Sequence, residues 1–337
     1  MAGGTSGVGI GAVGPPDGRG TPDEERLPIT GLAGARATRP ASPRLWHAWR
    51  VLATDYISLT KPGSVALLLV TCLAGLFVAS SGWPAPGLVA ATAIGGALFA
   101  GAGNVLNCYL DRDIDGLMRR TRRRPLPSGR VTPVAALALA FVLASVPFAV
   151  FALWVNVLAG ALAAFGALYY VIVYTVWLKR RTPHNVEIGG VAGAMPALVG
   201  WAAATGSLSL PAVLLSALVF FWTPTHFWSL ALITGEDYAS AHVPMLPVVA
   251  GPRATESRIL IYAVAVVGTS MLIYAIGMAG FLYLGAAILL GTGLLAGAVR
   301  LVRLGTVRSA RLLFVYANVY LALILGALVL DHITGQW

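Results

Sequence analysis

Charge is distributed along this chain in blocks, and the blocks limit what it can fold into. Residues 62–110, 131–178, 188–235, 259–299 and 312–330 contain no Asp, Glu, Lys or Arg. A helix needs about 20 apolar residues to cross a bilayer, so each of the first four runs holds two spans and the last holds one. That gives nine. Breakers mark where the long runs fold back: SGWPAPG at 81–87, residues 154–156, TGSLSLP at 205–211, and residues 278–281. The chain is 58% hydrophobic and 11% charged, with a mean hydropathy of +0.80, against the roughly 25% charged content of soluble domains. The expected class is an all-α polytopic membrane protein.

With the runs folded as hairpins, all 23 Lys and Arg residues fall on one side and only Asp331 is left on the other. The positive-inside rule then places the N-terminus and every charged loop in the cytoplasm, with the protein in a bacterial cell membrane. The net charge of +10 would suggest a nucleic-acid partner in a soluble chain; here it reads as membrane orientation, and no nucleic acid is expected. Residues 1–45 are rich in Gly, Pro, Ala, Thr and Arg, lack an apolar period and read as a disordered cytoplasmic extension; residues 46–337 form the membrane domain. No apolar h-region follows Met1, and Asp17, Asp23, Glu24 and Glu25 argue against an organellar transit peptide. Trp46, His47 and Trp49 beside Arg44 and Arg50 suit a segment at the interface. Cys72 and Cys108 lie in apolar runs without metal-ligand spacing and read as small buried side chains.

The chemistry concentrates at residues 104–132, NVLNCYLDRDIDGLMRRTRRRPLPSGRVT. Asn107, Asp111 and Asp115 recur at i, i+4 and i+8, which on a helix keeps three oxygen-bearing side chains on one slowly drifting face, with Asp113 nearly opposite. Carboxylates one turn apart repel, so in a partly dry place they need protons or a cation, and hard oxygen ligands that leave room for water suit Mg²⁺. A diphosphate would complete such a site. Arg119, Arg120, Arg122, Arg123 and Arg124 supply forked donors matched to phosphate oxygens, although an ordinary cytoplasmic loop would be just as basic.

A second constellation begins at LKRRTPHNVEIGGVAGAMPALVGW, 178–201, where Lys179, Arg180 and Arg181 add cations on the same side and Gly189, Gly190 and Gly193 permit close helix approach. His184 there reads as a solvated turn residue. The sixth span ends in WTPTHFWSLALITGEDYASAHVPMLPVV, 222–249. His226 lies at depth after Pro224, which reads as a break in the helix. A histidine among aromatics is commonly a packing residue, but a broken span and the acidic pair Glu236 and Asp237 turn the reading towards a site. The runs around 131–178 and 259–299 show no polar ladder and read as packing and lipid-facing surface.

LTKPG at 59–63, NCYLDRDID at 107–115, MRRTRRRPLPSG at 118–129, KRRTP at 179–183, GGVAGAMPALVGW at 189–201, and HFW followed by EDYASAHVPMLPVV at 236–249 together resemble the UbiA-type intramembrane prenyltransferases, and within them the protohaem IX farnesyltransferase branch. The resemblance covers the chain from about Tyr56 onwards. It implies a nine-helix bundle around a membrane-open cavity, with Mg²⁺ as cofactor. It implies transfer of a farnesyl group from farnesyl diphosphate to a vinyl group of haem b, with addition of water, giving haem O. Membrane lipid is the surrounding partner and a haem A synthase a candidate partner.

By the same resemblance Asn107, Asp111 and Asp115 belong to a first Mg²⁺-diphosphate motif with a catalytic role, and Arg120, Arg124, Lys179 and Arg180 contact the diphosphate. Lys61, His226, Asp237 and Tyr238 join them as candidate substrate-binding residues. Relatives acting on aromatic quinone precursors carry an aspartate directly after the motif asparagine, where this chain has Cys108, and an Asp-rich motif where it has His226 and Phe227. These departures favour haem as acceptor over a quinone precursor. A CDP-alcohol phosphotransferase would require Gly-x-x-x-Asp-x-x-x-Asp, and Gly129 is followed instead by Arg130 to Pro133. A transporter would place its acids near the midplane, whereas these cluster at one interface.

Overall fold

The structure is a computed structural model and describes residues 3–4 and 45–335. The expected N-terminal extension therefore lies almost wholly outside the described residues, as do the side chains of Trp46, His47 and Trp49. The described elements are α1 (Leu45–Leu59), α2 (Pro62–Ala79), α3 (Pro86–Leu110), α4 (Arg112–Leu117), α5 (Pro133–Trp154) and α6 (Val157–Leu168). The helix α6 runs on as a π-helical segment, Tyr169–Leu178. Then follow α7 (Asn185–Thr205), α8 (Leu210–Ile233), α9 (Gly235–Ser240), α10 (Leu246–Val249), α11 (Gly251–Ala275), α12 (Phe281–Leu304) and α13 (Val307–Thr334).

Among the described residues nine helical stretches are long and apolar enough to cross a membrane, Val157–Leu178 counting as one. Each break falls within or beside an expected breaker cluster. Proline opens α2, α3, α5, α8 and α11, where its missing N–H would have had no helical acceptor and its fixed φ suits the first turn. Side-chain caps supply other starts: Asn156 accepts from the Ala159 N–H at 2.9 Å, and Thr306 and Ser309 form a capping box on α13. The connections at 80–85, 155–156, 206–209 and 276–280 contain no Lys or Arg, so the one-sided charge pattern follows the observed helix ends.

Pro224 does not break α8. The helix is continuous over Leu210–Ile233 with the proline inside it; a proline interrupts one backbone hydrogen bond, and α8 is held along both halves by buried Leu215, Leu218, Trp222 and Trp228. α2 and α7 meet backbone to backbone. A Cβ on Gly200 would overlap the Cys72 carbonyl, and one on Gly75 would lie 2.5 Å from the Ala197 carbonyl oxygen. Lipid offers no hydrophobic drive to hold helices together, so small residues that let backbones touch provide the packing instead. α8, α11, α12 and α13 share a large apolar core, and α3 packs on α5.

Candidate active site

α3 ends at Asp111, whose φ of −91° and ψ of 4° turn the chain before α4 begins. Helical hydrogen bonding nevertheless continues across the junction, from the Asp111 N–H to Asn107 O at 2.9 Å and from the Asp115 N–H to Asp111 O at 2.7 Å. The i, i+4, i+8 register therefore survives. Asn107, Asp111 and Asp115 are 3%, 1% and 2% exposed, so these are oxygen groups in an almost dry place, each needing a partner.

Every one of them has a cation. Lys61 donates to Asn107 Oδ1 at 2.5 Å, Lys179 pairs with Asp111 Oδ2, and Arg124 Nη1 donates to Asp115 Oδ2 at 2.7 Å. Asn107 Nδ2 donates to Asp111 Oδ2 at 2.8 Å and to Thr175 Oγ1 at 3.1 Å. Lys61 reaches Asn107 because the chain between α1 and α2 takes a left-handed turn at that residue, φ 53°. Burial pushes its ammonium below the ordinary lysine pKa. Asp113, on the other face, takes a forked pair from Arg180 at 2.7 Å, and that hydrogen bonding holds its carboxyl down to about 2. Arg180 Nη2 also lies 3.6 Å from Asp111 Oδ1.

Asp111 Oδ1 is buried without a hydrogen-bond partner. An orphaned carboxylate oxygen beside a second carboxylate and an amide oxygen is a donor set of hard ligands, which fits Mg²⁺. The set needs a further anion to balance its cations. Among the described residues no cluster of three or more His, Cys, Asp and Glu side chains could hold a metal.

A cavity of about 540 Å³ opens beside this cluster, and Lys61, Asn107, Asp115, Arg120, Arg124 and Lys179 line it. His226 and Tyr238 also line it. The His226 ring is stacked between Trp222, at 4.6 Å and 18°, and Phe314, at 4.7 Å and 27°. Its Nδ1 is buried without a hydrogen-bond partner. Asp237 is elsewhere: its two oxygens accept from the backbone N–H groups of Arg119 and Arg120 at 3.1 and 3.2 Å, bracing the loop that carries Arg120. Glu236 forms an exposed pair with Arg119 at 2.5 Å.

The run 131–178, read from sequence as packing surface, contributes directly. Its π-helical end places Tyr170 and Tyr174 in parallel on one face, centroids 5.6 Å apart, and both line the cavity. Thr175 donates to the Tyr170 carbonyl at 2.9 Å while receiving Asn107. The closing π turn, from the Lys179 N–H to Tyr174 O at 2.8 Å, delivers Lys179 to Asp111. A wide turn of this kind often marks a functional site. The one signal in the sequence was a threonine hydroxyl four residues before the first lysine of KRRTP.

Residues 68–324 match the UbiA prenyltransferase family. The chain is 50% identical over 281 residues to the protoheme IX farnesyltransferase of Roseiflexus castenholzii, a match covering 83% of this chain and 52% of that protein; the chain thus spans about half the length of that relative. It is 45% identical over 304 residues to protoheme IX farnesyltransferase 1 of Saccharopolyspora erythraea, covering 90% of this chain and 96% of that protein. The fold is similar to that of a digeranylgeranylglyceryl phosphate synthase, with a TM-score of 0.70 at 19% identity over 84% of this chain and 99% of that one. It is also similar to a UbiA homologue from Archaeoglobus fulgidus bound to DMAPP and Mg²⁺, with a TM-score of 0.60 at 16% identity over 83% and 99%. A family match over most of the membrane-embedded length, joined to a near full-length relative at 45% identity, makes the chain a member of the UbiA prenyltransferase family.

Proposed function

We propose that this protein is a Mg²⁺-dependent intramembrane prenyltransferase that transfers the farnesyl group of farnesyl diphosphate to a vinyl group of haem b, giving haem O and diphosphate. The observation that carries the reading is the joining, in one cavity, of two unlike walls. One wall holds Asn107, Asp115, Arg124 and Lys179; the other holds His226 stacked between Trp222 and Phe314. The names of the relatives supply the acceptor, and the Mg²⁺-bound archaeal structure supports the metal.

Asn107, Asp111 and Asp115 would hold the Mg²⁺, which when bound offsets charge on the departing diphosphate. Arg120, Arg124, Lys179 and Lys61 are assigned to the diphosphate oxygens, as fixed positive charge aimed where negative charge develops, and Arg180, forked onto Asp113 outside the cavity lining and 3.6 Å from Asp111 Oδ1, is left at the edge of that site. The allylic carbon–oxygen bond breaks with its electron pair leaving on diphosphate. The vinyl π electrons form the new carbon–carbon bond. Water then adds to the carbon beside the porphyrin and loses a proton, completing a hydroxyethylfarnesyl group. Apolar walls keep water from the allylic cation until the vinyl group has reacted. His226 is assigned to the haem, Tyr238 on the same cavity lining to substrate contact, and Asp237 to positioning the Arg119–Arg120 backbone.

The N-terminus is placed in the cytoplasm of a bacterial cell, which puts the diphosphate end of the cavity on the side where a soluble prenyl diphosphate would arrive. A haem A synthase would take the product. The test is to supply membranes containing the protein with haem b, Mg²⁺ and prenyl diphosphates, then identify the extracted haems by mass. Haem O appearing only when all three are present supports the reading; prenylation of a quinone precursor with no haem product refutes the acceptor.

A further inference from the structure

α1 is not among the nine candidate spans of the described residues, yet it reaches the arginine loop through a buried acid. Asp55 is 9% exposed and takes a forked pair from Arg130, whose Nε donates to Oδ2 at 2.9 Å and Nη2 to Oδ1 at 3.0 Å. Arg130 in turn holds the chain around Arg124. Its Nη2 also donates to the Arg123 carbonyl at 3.0 Å, and its Nη1 donates to Ser128 Oγ at 2.8 Å. Ser128 Oγ donates to the Arg124 carbonyl at 2.7 Å. The carbonyls on both sides of the Arg124 Cα are thus tied, directly or through one hydroxyl, to a single guanidinium. The Arg124 side chain leaves that fixed backbone to meet Asp115 Oδ2 at 2.7 Å. Leu59 of α1 shares an apolar cluster with Leu126 and Val131 of the same loop, so packing accompanies the ion pair.

Residues 119–130 contain six arginines, which repel one another and would splay the loop without a carboxylate from outside it. An arginine side chain is long and flexible, and its charge serves a reacting anion best when it is already in place. We propose that Asp55 is a positioning residue of the diphosphate site: through the fork of Arg130 it fixes the backbone of Arg124, and with it the charge that meets the diphosphate. The proposal rests on the assignment of Arg124 to the diphosphate and is independent of the acceptor. It requires the planar fork at residue 130, since a lysine there would keep the charge but could not hold Asp55, Arg123 and Ser128 together.

The test uses the full chain in membranes with Mg²⁺ and a non-hydrolysable farnesyl diphosphate analogue, with haem b binding measured alongside. Asp55→Asn and Arg130→Lys should each weaken the analogue by about tenfold, within the range that small displacements of a positioning group cost, and leave haem affinity in place. Asp55→Glu, which keeps a carboxylate on α1, should restore most of the loss. In an Arg124→Gln background Asp55→Asn should add nothing further, because the two changes act on one group. Additive losses in that double variant, or equal losses of analogue and haem, would make Asp55 a general support of the fold and overturn the proposal. It is also overturned if Arg130→Lys binds as the unchanged protein does, or if Arg124→Gln loses the analogue while Asp55→Asn keeps it. If Arg124→Gln itself binds normally, the assignment of Arg124 to the diphosphate fails and takes the brace with it.

Discussion

Asp111 and Asp115 keep full charge requirements in a part of the molecule that is almost dry, and their cations, Lys179 and Arg124, come from two different loops. Asp111→Asn and Asp115→Asn should each lower turnover by at least about 100-fold, the scale for removing one group that stabilises a charged transition state. Both variants should still fold, because an amide oxygen remains to accept from the lysine or arginine; thermal unfolding in detergent checks this. Asp113→Asn, whose partner is Arg180 on the exposed face, should be much milder. Activity retained at Asp111 or Asp115 would remove the ladder from the mechanism. His226→Ala should weaken haem binding about tenfold, equivalent to about 1.4 kcal/mol, while leaving Mg²⁺-dependent binding of a farnesyl diphosphate analogue intact. Loss of the analogue with haem affinity kept would assign His226 to the other half of the site. The ladder was readable from sequence since a period of four fixes which side chains share a face. Its long-range pairings were not: Lys61 meets Asn107 and Lys179 meets Asp111 across 46 and 68 residues of chain, and no local pattern encodes these.

The spanning helices were legible because charge ends them, and the bilayer makes that signal strong. The π-helical segment was not. Its i→i−5 bonding is set by what the surrounding helices require of Tyr170, Tyr174 and Thr175, and YYVIVYTVWL reads equally well as an ordinary apolar helix. Thr175→Val keeps the shape and removes the hydroxyl that receives Asn107, leaving Asn107 Nδ2 with Asp111 as its remaining acceptor. The expected cost of about 1 kcal/mol should appear as a several-fold rise in KM for the diphosphate with little change in fold, measured by initial rates. The α2–α7 contact gives a complementary test at the same scale. Gly200→Ala must push α7 away from the Cys72 carbonyl of α2 and should destabilise by about 1–3 kcal/mol, as overpacking does. Gly87→Ala, which meets nothing within 4 Å, is the matched control and should leave the melting temperature in place. Equal melting temperatures for both variants would show that the helices are not in backbone contact.

At the scale of the whole molecule, the nine candidate spans of the described residues are the count that brings the loops bearing Lys and Arg to one side. An added or missing span between any two basic loops would place some of the 23 cations on the far side, at a cost the positive-inside bias opposes. The same alternation puts the clustered polar side chains at one end of the bundle. Asn107, Arg124 and Lys179 all sit at or just beyond the basic ends of spans, so under the proposed topology the diphosphate end would face the cytoplasm, while Asp331, fully buried and accepting from the Gly280 N–H, lies at the opposite end. Single cysteines placed at exposed positions test this directly, since the native Cys72 and Cys108 are both buried. Ser81→Cys, Ser207→Cys and Thr334→Cys should react with a membrane-impermeant maleimide added to intact cells. Ser128→Cys and Ser257→Cys should react only after the membrane is opened. Ser128 lies in the arginine loop that carries Arg124, so its labelling from outside would reverse the orientation of the active site, and a soluble cytoplasmic donor could no longer reach it.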